Sequence, residues 1–81
     1  MTRVLLFGRL SDLAGWRERI FDPPPDSLFA LRRQIADVDA RLGRALAEGG
    51  VQAAVDRLLV RGDAALAADA EVAFLPPMSG G

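Results

Sequence analysis

The stretch Glu71-Val72-Ala73-Phe74-Leu75-Pro76-Pro77-Met78-Ser79-Gly80-Gly81 decides how the rest of the chain is read. Side chains alternate across a strand with period two, which puts Val72 and Phe74 on one face and Ala73 and Leu75 on the other. Both faces are apolar, as expected for a strand inside a sheet. Pro76 and Pro77 carry no N–H and hold φ near the polyproline value, so the ladder stops there and the chain leaves the sheet stiff and extended. The six residues from Pro76 to Gly81 then reach at most roughly 20 Å, enough to enter another protein's cleft. Gly80 and Gly81 have no Cβ, so a narrow tunnel can close around their backbone, and the group at its far end is the α-carboxylate of Gly81. A bare Gly-Gly end would read as an ordinary frayed terminus. Two prolines directly after a strand tip the reading towards a presented tail.

Working outward, 81 residues are enough for one compact core and leave little room for a deep active-site cavity. Apolar residues make up 51% and charged residues 26%, ordinary for a globular protein, and no apolar run approaches a membrane span. Met1-Thr2-Arg3 leads straight into a strand pattern, so neither a signal peptide nor a membrane anchor is expected, and the location expected is cytoplasmic. A net charge of −1 argues against nucleic acid, which selects concentrated positive charge. The one basic pair, Arg32-Arg33, is expected on the solvated side of a helix. Cysteine, histidine, lysine and tyrosine are all absent. That removes the thiolate nucleophile, the commonest general base and metal ligand, and the Schiff-base amine, so catalysis by this chain alone is not expected and no metal site is assigned.

From the amino terminus, Val4-Leu5-Leu6-Phe7 is a short apolar run ended by Gly8, suited to a central strand with both faces covered. Leu10 to Ala14 reads as one helical turn stopped at Gly15, and Trp16 to Phe21 as a second strand with Arg17 and Arg19 on its polar side. The two strands are expected to pair as a hairpin. Asp22-Pro23-Pro24-Pro25 breaks regular structure ahead of the main helix, for which Asp26 or Ser27 can accept from the free N–H groups of the first turn. Leu28, Leu31, Ile35 and Val38 form one apolar stripe, while Arg32, Arg33 and Asp37 lie elsewhere. Arg41 to Glu48 is a weaker helix with Leu42, Ala45 and Leu46 inward, ended by Gly49-Gly50. Val51 to Val55 and Leu58 to Val60 read as strands around a tight turn at Asp56-Arg57. Gly62-Asp63 opens a loop with Leu66 as its large apolar anchor. The order, taken together with the family resemblance given below, predicts an α+β fold of the β-grasp type. It has a mixed sheet of about five strands, the last beside and parallel to the first, and the main helix lies across one face. Residues 1–75 form the folded body and 76–81 the tail.

Other motifs carry less. Gly8 to Gly15 holds no Gly-Lys-Ser/Thr, so its glycines serve turns and not phosphate. Asp37 with Asp39, and Asp12 with Glu18, lack a partner base and read as solvated charge. Ser79 has no base to activate it and reads as a small residue that fits a channel.

The carboxyl-terminal stretch resembles the signature of the ubiquitin-like sulfur carriers, and among them the small subunits of molybdopterin synthase. Val4-Leu5-Leu6-Phe7, Leu13-Ala14-Gly15, Ser27-Leu28-x-x-Leu31 and Ala53-Ala54-Val55-Asp56 also fall where that family has equivalents. The Pro-Pro distinguishes it from the thiamine-type carriers, which share the Gly-Gly. The chain departs from the family in having Asp56 where Asn is frequent, Asp69-Ala70-Glu71 where Gly-Asp-Glu is frequent, and Met78 where Val is common.

The resemblance implies a carrier inactive alone. An E1-like adenylating enzyme would use ATP and Mg²⁺ to convert the Gly81 carboxylate to an acyl-adenylate, and a sulfur donor protein would replace AMP to leave a thiocarboxylate. Pro76, Pro77, Met78, Ser79 and Gly80 would thread it into the large subunit of a heterotetrameric synthase, where the sulfur builds the molybdopterin dithiolene. No cofactor is then held by this chain beyond the sulfur on Gly81. The resemblance names Phe7, Leu59 and Leu75 as the partner-binding residues, on a sheet face left open by the helix; the alternative for Phe7 is ordinary core. Two other functions compete: a sulfur carrier for thiamine thiazole or cysteine synthesis, and a non-covalent ubiquitin-like binding module.

Overall fold

The computed structural model describes residues 1–77. Its elements follow in the order β1 (Thr2–Leu6), α1 (Arg9–Ala14), β2 (Glu18–Phe21), α2 (Leu28–Val38), α3 (Ala40–Leu46), β3 (Gln52–Val55), β4 (Leu58–Val60) and β5 (Glu71–Leu75). The sheet order is β2-β1-β5-β3-β4, with β1 parallel to β5 and the other pairs antiparallel. This is the β-grasp arrangement that the element order predicts.

The core lies on one face of the sheet only. Val4 pairs with Val72 and Leu6 with Phe74, and all four are buried. Leu28, Leu31 and Ile35 of α2 cover them at 0% exposure, and Leu10, Leu42 and Leu46 close the ends. Each such side chain contributes roughly 1.5–3 kcal/mol by leaving water. The expectation that the first strand is covered on both faces fails, because no helix packs over the side bearing Leu5 and Phe7 and Phe7 is 46% exposed. Val38 also departs from the expected stripe and is 56% exposed. It is the last residue of α2, where the chain turns at Asp39 into α3.

Two residues start α2. The Ser27 hydroxyl accepts from the Ala30 N–H at 3.1 Å, as a helix cap should, while Asp26 contributes only its carbonyl, which accepts from Leu66 N–H. The second is Asp63, from the loop after β4, whose Oδ1 accepts from the Phe29 N–H at 2.9 Å. No local pattern announces it. Asp39 caps twice over: its N–H donates to the Ile35 carbonyl to end α2, and its Oδ1 accepts from Leu42 N–H to begin α3.

The register corrects the reading of β2. Arg19 lies opposite Val4 and so on the helix-covered side, at the sheet edge, with its guanidinium 6.0 Å from the Trp16 ring centroid and 5.3 Å from that of Phe21. Ile20, opposite Arg3, takes the open face instead. Alternation holds; at an edge strand, an exposed side chain is tolerated on either face.

Helices α2 and α3 approach closely at Gly43. A Cβ there would lie 2.5 Å from the Ala36 Cβ and 2.8 Å from its Cα. Helix propensity alone favours Gly→Ala by roughly 1 kcal/mol. Gly43→Ala should nevertheless destabilise the protein by about 1–3 kcal/mol in urea unfolding, because overpacking outweighs propensity. The opposite sign is expected at the β3–β4 turn, where Asp56 (φ 49) and Arg57 (φ 72) are both left-handed. Arg57→Gly should raise stability by about 0.5–1 kcal/mol in the same assay, since glycine adopts that conformation without strain. The ion pair lost with it, to Glu71 at 4.0 Å, is exposed and contributes little.

Candidate functional site

Strand β5 is paired on both edges, by β1 and β3, so whatever follows it starts from the central strand of the sheet. Its entry is fixed by Asp56: the backbone N–H of Asp56 donates to the Glu71 carbonyl at 2.8 Å, and its Oδ1 accepts from the Glu71 N–H at 3.0 Å. Only an acceptor is needed at that position, which asparagine or aspartate supplies equally.

The open face changes character along β5. At its start Arg3 is hydrogen-bonded to Glu71 and lies 3.7 Å from Glu18. The hydrogen bond to Glu71, then the charges of Glu71 and Glu18, raise the Arg3 pKa above its ordinary value. One row further on, Leu5, Ala73, Ala54 and Leu59 lie side by side across four strands. Then come Phe7, joined to β5 by its N–H to the Phe74 carbonyl, and Leu75, opposite Gln52. The structure therefore places Phe7, Leu59 and Leu75 on one face at the tail end. Leu59 is 63% exposed and Leu75 half-buried. An apolar area next to Pro76 and Pro77 has the composition of a docking surface.

At the root of the tail the geometry adds residues the sequence reading did not single out. Gly8, at φ +57, backs onto Pro76: a Cβ there would lie 3.0 Å from the Pro76 Cγ. Gly50, at φ +92, backs onto Pro77, whose Cβ would be 2.9 Å from an added one. The two loops that carry these glycines are tied by Arg9 and Glu48 at 3.8 Å. The prolines are thus seated between two backbone segments and aimed by them. Both glycines were legible only as turn residues, because their partners are distant in sequence. Met78, Ser79, Gly80 and Gly81 lie outside the described residues. Among the described residues no three His, Cys, Asp or Glu side chains group as a metal site, and no helix is long and apolar enough to cross a membrane.

Arg32 is the main correction to the sequence reading. It does not lie on a solvated face: its guanidinium is 5.3 Å from the Phe74 ring centroid and donates to the Leu46 carbonyl at 2.6 Å. Burial lowers its pKa from the ordinary arginine value. The long side chain reaches from the flank of α2 to the sheet, a reach that helical spacing of Cα positions does not reveal.

Gly50→Ala should cost more stability than Gly15→Ala. Both positions have left-handed φ, worth about 1–3 kcal/mol of strain, but nothing lies within 4 Å of a Cβ at Gly15. Thermal unfolding checks the difference, and amide shifts at Leu75 and the tail should move in the Gly50 variant alone.

Comparison with known proteins agrees with this architecture. The model described as the ThiS family matches residues 4–81. The molybdopterin synthase sulfur carrier subunit of Escherichia coli (strain K12) is 36% identical over 81 residues, covering 100% of both chains. Among solved structures, the crystal structure of SAMP1 from Haloferax volcanii superposes with a TM-score of 0.81 at 21% identity, covering 99% of this chain and 98% of that one. The solution structure of small archaeal modifier protein 1 from Methanosarcina acetivorans gives 0.82 at 22% identity, covering 99% and 95%. These last two share the ubiquitin-like fold. A family match across nearly all of the chain and a relative aligned from end to end lead to one conclusion: the chain belongs to the ThiS family.

Proposed function

We propose that this protein is the sulfur-carrier subunit of a molybdopterin synthase, a folded body over residues 1–75 that presents residues 76–81 to its partners. The observation that carries the reading is the end-to-end similarity to the E. coli sulfur carrier subunit, which includes the carboxyl-terminal stretch. The seating of Pro76 and Pro77 against Gly8 and Gly50 supports it, because a group delivered into a partner's cleft needs a defined line of approach.

In this reading the Gly81 carboxylate is first activated, since a carboxylate is a poor electrophile. An E1-like enzyme supplies ATP and Mg²⁺; a carboxylate oxygen attacks the α-phosphorus and pyrophosphate leaves. A sulfide-level sulfur nucleophile supplied by a donor protein then attacks the carbonyl carbon, AMP leaves, and the thiocarboxylate remains. The absence of cysteine fits, because the sulfur is carried on the backbone terminus. The absence of lysine leaves no side-chain amine in the chain to capture the activated carbonyl. Phe7, Leu59 and Leu75 dock on the large subunit, Pro76 to Gly80 thread into it, and Gly81 delivers sulfur to the pterin precursor. The carrier supplies presentation and leaves the acid–base chemistry to the large subunit.

Intact-mass measurement after incubation with the adenylating enzyme, ATP and a sulfur source should show one sulfur-for-oxygen exchange, confined to the carboxyl-terminal peptide. The chain ending at Ser79 should unfold at the same temperature as the full chain and take up no sulfur. Dithiolene synthesis sustained by the trimmed chain would refute the proposal, whereas a charged protein accepted only by a thiazole-forming partner would reassign the pathway.

A further inference from the structure

Beside the tail root, on the side away from Gly8, a cleft of about 550 Å³ is lined by Arg32, Arg61 and residues of β3 and β4, with Gly50 and Gly62 at its rim. Among the described residues no acidic side chain lines it. Arg32 and Arg61 form no ion pair among the described residues.

Arg32 is the informative member. One terminal nitrogen donates to the Leu46 carbonyl and the guanidinium plane rests on Phe74, yet its Nε–H is buried with no acceptor. A guanidinium offers five donors in a fork shaped for a pair of oxygens, and this half-buried one, held by one carbonyl and a ring, has donors left over. A purely structural strut would not need a second arginine across the same cleft. At Gly62 (φ +69) nothing lies within 4 Å of where a Cβ would stand, so a ligand can approach the backbone there.

We propose that this cleft binds a single oxyanion group, phosphoryl or carboxylate, between the guanidiniums of Arg32 and Arg61. Paired guanidiniums bind such groups through charge-assisted, often bidentate hydrogen bonds. Gly50 lines the cleft and also backs Pro77, so an occupant would sit against the base of the tail. The proposal does not depend on the sulfur-carrier reading: it concerns binding by the free chain.

The test is a titration of the full-length ¹⁵N-labelled protein with inorganic phosphate at constant ionic strength, with chloride as the reference. Saturable shifts are expected for the Arg32 Nε–H and the Gly50 and Gly62 amides. Arg61 is exposed, so Arg61→Ala should keep the fold and weaken binding roughly threefold or more, with Arg61→Lys in between. AMP and acetate, titrated separately, distinguish the sources: saturation by AMP alone assigns a phosphoryl group, by acetate alone a carboxylate, and by both a general oxyanion site. Shifts that rise linearly and match chloride, or an affinity unchanged by Arg61→Ala, would overturn the proposal.

Discussion

The parallel pairing of β1 with β5 is the constraint on which the molecule depends. It joins the two ends of the chain at the centre of the sheet, with Val4 against Val72 and Leu6 against Phe74. A slip of one residue would turn those side chains to the open face and bring Leu5 and Ala73 under α2. Burial of the four residues under Leu28, Leu31 and Ile35 selects the register, and the hydrogen bonds follow. Such a pairing closes nearly the whole chain into one loop, so the hydrophobic gain must exceed a large entropic cost.

The same pairing gives the tail its mechanical footing. A strand flanked on both edges cannot sway independently, and the proline pair begins where the ladder ends. Gly8 and Gly50 complete the arrangement by letting two loops come within contact of the prolines. Sites built on sheet elements are more accurately placed than sites on loops, and Pro76 follows directly on a strand held at both edges. On the open face, charge at the start of β5 gives way to apolar surface, Leu59 one row before Phe7 and Leu75.

Much of this was legible in the residues. The tail was legible because its chemistry is intrinsic to proline and glycine and needs no neighbour. The main helix was legible from Leu28, Leu31 and Ile35 at helical spacing, and the β3–β4 turn from its length. Val38 kept the period but fell at the helix end, and Arg19 kept the alternation but sits on the edge strand, where either face meets water. In both cases the period located the residue correctly relative to its own element while burial depended on what lay beyond it.

The sequence by itself determined the elements, their order, the two faces of β5 and the end of its ladder at Pro76 and Pro77, because these follow from local backbone preference and from residue chemistry. Only the tertiary structure decided that Asp63 helps cap α2, that Gly43 meets Ala36, that Gly8 and Gly50 seat the prolines, and that Arg32 turns under Phe74. Each is a contact across elements, set by how helices and loops pack once the sheet has formed. No short-range pattern encodes such distances, since they depend on the shape of the whole core.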